Sequence, residues 1–188
     1  MSFLKTQLLI PRVIKAAKCV LTIAITLGCI SSYSQNGIKG GINFATLRGN
    51  DADGFKGITS FHLGLVKEVS VFDNFSLQGE LLYSGQGAET RDDEYKLNYI
   101  NIPVVGEFYL NNSFSFQIGP QAGFLISHTD DFEPADPDFF DFGFVAGVEF
   151  LTTEGLFIQG RYNWSTTPLF EDYDVKNSVV QISIGYMF

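Results

Sequence analysis

The sequence predicts an all-β fold: an eight-stranded, antiparallel, up-and-down transmembrane β-barrel that follows a cleaved signal peptide. Apolar and polar residues alternate with a period of two in eight segments, and no helical periodicity intervenes. Most of these segments reach the roughly 9–11 residues that a tilted strand needs to cross a bilayer. Their connections alternate between short and long, as in barrels whose turns face the periplasm and whose loops face outside.

Length and composition limit the class of protein. The 188 residues suit a single domain, and a hydrophobic fraction of 45% argues against a disordered chain. Charged residues make up 18%, below the roughly 25% of soluble domains. The net charge of −9 argues against nucleic acid as a partner, because such a partner selects a basic face.

Residues 1–34 have the features of a signal peptide. Four basic residues and no acidic ones precede an apolar run at residues 19–30. This run is too short for a membrane helix of roughly 20 residues. Small residues then precede a predicted cleavage site between Ser34 and Gln35, which leaves residues 35–188 as the barrel domain. A signal anchor and a lipoprotein modified at Cys29 are the alternatives.

Cleavage at this site would change both the charge and the available chemistry. It removes four of the 12 basic residues and none of the 21 acidic ones, so the net charge goes from −9 to −13. Both cysteines leave with the signal peptide. The mature chain would then have no disulfide, no thiol nucleophile and no thiolate metal site.

The alternation predicts the strands one by one. Residues 75–84 place Phe75 and Leu81 on a nearly apolar face opposite a mostly polar one, and residues 114–127 show the same separation. A helix would scatter both sets around its circumference. In chain order, the predicted strands are residues 37–47, 58–69, 74–85, 96–110, 114–127, 141–152, 155–165 and 177–188.

Four long connections are predicted at one end of the barrel and three tight turns at the other, with both termini at the turn end. The long ones are residues 48–57, 86–95, 128–140 and 166–176, and the short ones are residues 70–73, 111–113 and 153–154. Acidic residues crowd into the long connections. They are Asp51, Asp53, Glu89, Asp92, Asp93, Glu94, Asp130, Asp131, Glu133, Asp136, Asp138, Glu171, Asp172 and Asp174.

Alternation alone does not decide whether the polar or the apolar face of the sheet lines the barrel interior. A soluble, lipocalin-like carrier would line its interior with the apolar face, whereas a membrane barrel turns that face to lipid. The polar faces carry Gly, Gln, Asn and Ser with few Lys or Asp, which is a poor soluble surface. This favours the membrane barrel. An interfacial aromatic girdle near the loop ends is then predicted from Phe61, Tyr83, Tyr162 and Trp164.

The predicted inner face carries charged and amide side chains. An eight-stranded barrel is just wide enough for side chains to fill it, and buried charges there must pair. We predict a salt-bridge plug, with a narrow cation path or proton site as the alternative. The predicted lumen network is Lys39, Glu68, Glu80, Glu107, Glu149 and Arg161, and the other inward polar residues are Asn43, His62, Gln78, Asn101, Gln117, Gln121, Gln159 and Gln181.

Residues 128–141 form the most unusual connection, which is rich in acidic and aromatic residues. Exposed aromatic residues in a polar loop can anchor a partner, and the candidates are Phe132, Phe139 and Phe140. Carboxylate oxygens in the same loop make a weak candidate site for Ca²⁺ or Mg²⁺, although their spacing is not that of an EF-hand. These candidate ligands are Asp130, Asp131, Glu133, Asp136 and Asp138.

A catalytic role is not expected, and no cofactor is predicted. Ser127, His128 and Asp130 lie close together in sequence, which leaves a hydrolase at the barrel mouth as an alternative. Adjacent residues of a strand point to opposite faces, however, so Ser127 and His128 should not converge.

The chain ends with Ile184, Tyr186 and Phe188 at alternate positions, which resembles the terminal strand that the barrel-assembly machinery recognises in outer-membrane barrels. Four motifs resemble strands of the PorT-like family of small eight-stranded outer-membrane barrels of Bacteroidota. They are GIKGGINFA at 37–45, NYINIP at 98–103, GPQAGF at 119–124 and RYN at 161–163. The resemblance implies a multi-pass β-barrel in the outer membrane of a Gram-negative bacterium, and it implies no particular activity.

These observations together predict an outer-membrane barrel with a filled lumen and acidic extracellular loops, in a structural or interaction role. The expected partners are outer-membrane lipid, the barrel-assembly machinery and an unidentified extracellular or envelope protein. An enzyme acting at the barrel mouth and a soluble carrier of an apolar ligand are the two competing functions.

Overall fold

The computed structural model describes residues 34–50, 52, 55–89, 94–129, 137–170 and 174–188. Apart from Ser34, the predicted signal peptide lies outside the described residues. The described chain forms a closed barrel of eight antiparallel strands in sequence order, with β8 paired to β1. The strands are β1 (Ser34–Arg48), β2 (Lys56–Phe72), β3 (Phe75–Glu89), β4 (Glu94–Tyr109), β5 (Phe114–His128), β6 (Phe140–Leu151), β7 (Leu156–Ser165) and β8 (Lys176–Met187).

The predicted antiparallel barrel is confirmed, and each predicted strand has a counterpart. Tight turns join β2 to β3, β4 to β5 and β6 to β7, which makes one end of the barrel a turn end and the other a loop end. In the β6–β7 turn, Gly155 has a φ of +89°, and a Cβ there would lie 2.4 Å from the Met187 carbonyl oxygen. A larger residue would therefore strain the turn and press on the end of β8. Among the described residues, no helix is long and apolar enough to cross a membrane.

The long loop predicted at residues 86–95 is wrong. Strands β3 and β4 continue through most of this segment and pair as far as Glu89 and Glu94. The physical reason is burial, because apolar side chains of these extensions pack against the connection between β7 and β8. We call this cluster the loop-end cap; it consists of Leu47, Ala88, Leu97, Tyr99, Leu125, Leu169, Phe170 and Val175.

The two faces of the sheet have opposite chemistry. Large apolar side chains point outward and are exposed, for example Ile42 and Leu65 at 49% and 59%. Inward-pointing side chains are mostly polar and buried. The lipocalin-like alternative is therefore wrong, because it requires the apolar face to line the interior. A continuous outward apolar belt is the arrangement that a surrounding lipid bilayer stabilises.

We expect a charge in the middle of this belt to destabilise the barrel strongly. Ile182 lies near the centre of β8 and is exposed, so Ile182→Arg should cost about 2–4 kcal/mol of folding free energy in lipid vesicles. Phe72→Arg, on an exposed side chain at the turn end of β2, is the control and should cost about 0–1 kcal/mol. Denaturant titration in vesicles measures both, and equal costs would contradict immersion of the β8 centre in the bilayer.

Candidate functional site

The polar lumen is the candidate functional site. Every charged and amide side chain that the sequence places on the inner face is buried in the structure. Each comes from an inward position of its strand, because strand side chains alternate and the sheet closes on itself. The sequence analysis missed the buried hydroxyl groups of Ser84, Ser115 and Ser183. Their inward strand positions could have identified them, since they share the parity of their charged neighbours.

Three charged residues from three strands meet across the lumen: Lys39 on β1, Glu80 on β3 and Arg161 on β7. Glu80 Oε2 lies 2.7 Å from Lys39 Nζ, and Glu80 Oε1 lies 2.7 Å from Arg161 Nη2. The three side chains are at most 1% exposed. We call them the central ion cluster. One carboxylate thus binds two cations, and this geometry offsets part of the high cost of burying all three charges.

Glutamine side chains extend the central ion cluster to the lumen wall. Gln117 accepts a hydrogen bond from Arg161 Nε at 2.8 Å, and Gln159 accepts one from Lys39 Nζ at 2.9 Å. Gln159 also donates to Glu149 Oε2 at 2.7 Å. Because each amide both accepts and donates, these bonds satisfy polar atoms that would be costly to bury without partners.

The other predicted network residues, Glu68, Glu107 and Glu149, are held by hydrogen bonds. Among the described residues, both ion pairs of the lumen belong to the central ion cluster. Glu68 accepts a hydrogen bond from the Tyr109 hydroxyl at 2.8 Å, and Glu107 accepts one from the Ser115 hydroxyl at 2.5 Å. Glu68 also lines a cavity of about 440 Å³ at the turn end. The predicted six-residue network therefore consists of an ion cluster and a set of hydrogen-bonded carboxyl groups.

His62 is the centre of a row of hydrogen-bonded side chains whose pairing the sequence did not predict. Its Nδ1 lies 2.7 Å from Asn43 Oδ1, and its Nε2 lies 2.7 Å from Ser183 Oγ. A serine, a histidine and an amide in this order also occur in nucleophilic hydrolases. All three side chains are at most 2% exposed, however. They line neither the turn-end cavity beside Glu68 nor a second cavity, which lies between Arg48 and Lys176 at the loop end. This hydrogen-bonded chain connects β1, β2 and β8, and burial shields the serine hydroxyl from solvent.

Most of the predicted metal and partner loop falls outside the described residues. Within them, no three His, Cys, Asp or Glu side chains are arranged to hold a metal ion. Phe139 and Phe140 both pack on Phe124, with ring centroids 5.7 and 5.5 Å from it, and Phe139 remains largely exposed. Asp138 is exposed, and its backbone amide donates to the Leu169 carbonyl oxygen at 2.9 Å. The residues outside the described ranges are Asp130, Asp131, Phe132, Glu133 and Asp136.

Ser127 and His128 have different partners. Ser127 pairs with Asn98 and accepts a hydrogen bond from its Nδ2 at 3.0 Å, on the outward face. His128 pairs with Leu97, which is buried, and its Nδ1 lies 3.1 Å from the Thr129 carbonyl oxygen. The two side chains do not form a nucleophile and base pair, because no hydrogen bond joins them.

Aromatic side chains gather on the outward face near the loop ends. Tyr162 and Trp164 stack with ring centroids 5.9 Å apart, and Trp164 also contacts Phe144 at 6.0 Å. On the other side of the barrel, Phe61 and Tyr83 approach to 5.5 Å. Such rings typically lie at the headgroup level of a membrane barrel, which marks the loop-end boundary of the apolar belt.

Comparison with known proteins decides the family. Residues 20–188 match the family described as outer membrane protein beta-barrel domain. The chain belongs to this outer-membrane β-barrel family. The predicted location in the outer membrane is thereby confirmed. No curated protein matches the sequence.

Solved outer-membrane proteins share the fold of this barrel. Ail, the attachment invasion locus protein of Yersinia pestis, is 17% identical with a TM-score of 0.53, over 84% of this chain and 100% of that one. In complex with the heparin analogue sucrose octasulfate, Ail is 15% identical with a TM-score of 0.55, over the same shares of 84% and 100%. Neisserial surface protein A is 10% identical with a TM-score of 0.57, again over 84% and 100%. Identities this low show the fold alone.

We expect the central ion cluster to stabilise the barrel. Arg161→Leu leaves the buried Glu80 carboxylate with one cation and removes a donor to Gln117, so it should cost about 3–5 kcal/mol. Lys176→Leu is the control, because it breaks a partly exposed ion pair with Asp174 and should cost about 0–1 kcal/mol.

Unfolding midpoints in detergent measure both variants, with gel mobility before and after boiling as the indicator of the folded barrel. An unchanged midpoint for Arg161→Leu would contradict a stabilising plug.

Proposed function

We propose that the protein is a plugged display barrel, which forms no open channel, catalyses no reaction and presents acidic loops outside the cell to a cationic partner. The filled lumen is the observation that supports this proposal most directly. The central ion cluster and its glutamines occupy the lumen, and the loop-end cap lies beyond them. An eight-stranded barrel has no room for a water-filled pore once such side chains are in place.

The distribution of acidic residues supports the loops as the interaction surface. Of the 21 acidic residues, 14 lie in or beside the long connections. In outer-membrane barrels the long loops face outside, so these charges would attract cationic partners and speed their encounter. Ail has been solved with a sulfated heparin analogue. The acidic loops of this chain lead us to expect the opposite preference.

Aromatic residues within the acidic loop are the proposed anchor for the partner. Phe139 is 65% exposed and therefore available for contact. Phe132 and Phe140 complete the proposed anchor, and Phe140 also packs against the barrel. Exposed aromatic side chains supply much of the binding energy at protein interfaces, because they bury a large area at little entropic cost.

Two geometric observations support the proposal that the barrel is not an enzyme. The chain of Ser183, His62 and Asn43 is enclosed, and Ser127 and His128 point to different partners. Acyl or phosphoryl transfer needs a cleft that holds the substrate within reach of the nucleophile. An enzyme at the barrel mouth would have to build that cleft from other residues.

We also propose that this barrel belongs to the PorT-like members of Bacteroidota, on the strength of the four motifs in β1, β4, β5 and β7.

The proposed assembly signal at the C-terminus has the exposure that recognition requires. Ile184, Tyr186 and Phe188 are 55%, 46% and 69% exposed along the outward edge of β8. An assembly machine that acts before the barrel closes could bind this apolar row.

We expect the folded wild-type barrel to show no conductance steps in a planar lipid bilayer, because the central ion cluster fills the lumen. Glu80→Ala combined with Arg161→Ala should produce steps, since it removes charged side chains from two walls. Asp174→Ala combined with Lys176→Ala is the control; it removes a partly exposed ion pair and should produce no conductance steps. Cation-selective steps from the wild type would contradict the plug and support the alternative cation path.

We expect the barrel in detergent micelles to bind poly-L-lysine and not heparin, with binding that weakens as salt is added. The acidic-loop variant Asp130→Asn, Asp131→Asn, Glu133→Gln, Asp136→Asn and Asp138→Asn should lose much of this binding. The turn-end variant Asp73→Asn with Glu154→Gln is the control and should keep it. Binding curves on immobilised poly-L-lysine and heparin measure the affinity of each variant. An equal loss of poly-L-lysine binding in both variants would contradict a role specific to the loops.

A further inference from the structure

Two basic residues face each other at the loop end of an otherwise acidic barrel. Arg48 ends β1 and Lys176 begins β8, and the two are direct cross-strand partners. Both occupy outward positions, in line with the exposed pair Phe44 and Val180. Like charges directly opposite each other destabilise a sheet. An anion close to both side chains would reduce the repulsion between them.

An open cavity of about 530 Å³ lies beside this basic pair, and its lining also includes Gly49, Ser165 and Thr166. Arg48 Nη2 donates to the Ser165 carbonyl oxygen at 3.1 Å, which places the guanidinium at the cavity edge. That bond occupies one of the five N–H donors of the guanidinium. The cavity can thus admit a compact anion that accepts further hydrogen bonds from Arg48.

The basic pair lies just beyond the aromatic girdle. Trp164 pairs with Ser178 across β7 and β8, and the Ser178 hydroxyl donates to the Tyr162 hydroxyl at 2.8 Å. Lys176 is the next outward residue of β8 toward the loops. Because girdle rings lie at the headgroup level, outward cations one step beyond them lie at the level of lipid phosphates.

Among the residues that the structure describes, one acidic side chain competes for the basic pair. Asp174 forms an ion pair with Lys176 and accepts a hydrogen bond from Asn50 Nδ2 at 3.0 Å. The hydrogen bond from Lys176 lowers the pKa of Asp174, so its carboxylate stays charged at neutral pH. The three side chains still sum to one positive charge, and an ammonium has three donors. The ion pair is partly exposed, so an incoming phosphate can share Lys176 at little cost.

We propose that Arg48 and Lys176 bind the phosphate group of an anionic membrane lipid at the loop-end headgroup level. Basic pockets beside membrane-spanning segments bind anionic headgroups through the same chemistry. The acyl chains of the lipid would lie along Phe44 and Val180, which continue the same outward column into the apolar belt. This site is independent of the partner that the acidic loops bind.

Lipid titration followed by native mass spectrometry of the detergent-solubilised barrel tests the proposal. We expect phosphatidic acid to bind more tightly than phosphatidylglycerol, and phosphatidylglycerol more tightly than phosphatidylcholine. Arg48→Gln and Lys176→Gln should each weaken phosphatidic acid binding about fivefold. Asp174→Asn should strengthen it, because the competing carboxylate is gone. Lys96→Gln is the matched control, an exposed base at the loop end of β4 on the opposite wall.

Three results would overturn the proposal: equal affinity for the three lipids, unchanged affinity in both glutamine variants, or an equal loss in Lys96→Gln. Inorganic phosphate separates a lipid site from a site for free anions. Complete displacement of phosphatidic acid by an equimolar amount would also overturn the lipid assignment. Arg48→Gln removes a bond to the Ser165 carbonyl oxygen and could disturb the end of β1. Lys176→Gln removes only a side-chain ion pair, and in Asp174→Asn the amide oxygen can still accept the hydrogen bonds from Asn50, so these two variants keep the test decisive.

Discussion

A single buried carboxylate, that of Glu80, connects opposite walls of this barrel. Its two oxygens bind Lys39 on β1 and Arg161 on β7, the strand opposite β3 in the ring. Without Glu80 the two buried cations would lie in the lumen with no carboxylate between them, at high electrostatic cost. Much of the buried interior of this barrel is polar, and its buried apolar side chains form separate small clusters. Its inner surface must therefore be stabilised by paired charges and amides, and the rest of the lumen is arranged around this carboxylate.

Filling the lumen moves function to the surfaces of the barrel. The outward apolar belt contacts lipid, and the polar side chains of the interior are occupied by hydrogen bonds to one another. What remains is the loop end, where acidic connections, an exposed Phe139 and the outward pair of Arg48 and Lys176 are found. The acids lie mainly in the connections and the basic pair lies at the strand ends, where Asp174 contacts Lys176. The proposed attraction of cations by the loops and the proposed lipid-phosphate site therefore depend mainly on different side chains.

The sequence predicted where the polar interior lies but not how its members pair. Alternation assigned Lys39, Glu80 and Arg161 to one face, because strand side chains have a period of two. Partner choice depends on the stagger between strands, which alternation does not encode. The bonds of His62 to Asn43 and Ser183 and of Gln117 to Arg161 therefore became visible only in the folded barrel. The acidic stretch at residues 86–95 resembles a loop for a related reason, since Ala88 is buried only by contacts with distant residues of the loop-end cap.

By itself, the sequence determined the number and order of the strands and favoured the face that meets lipid. These follow from local periodicity and from the solvent that each face prefers, and neither needs knowledge of distant contacts. Only the tertiary structure decided that Glu80 takes both lumen cations, that Glu68 and Glu107 hydrogen-bond to hydroxyl groups instead, and that Arg48 stands opposite Lys176. Closure of the ring brings β8 against β1 and sets the register across it, and this register selects which charges meet.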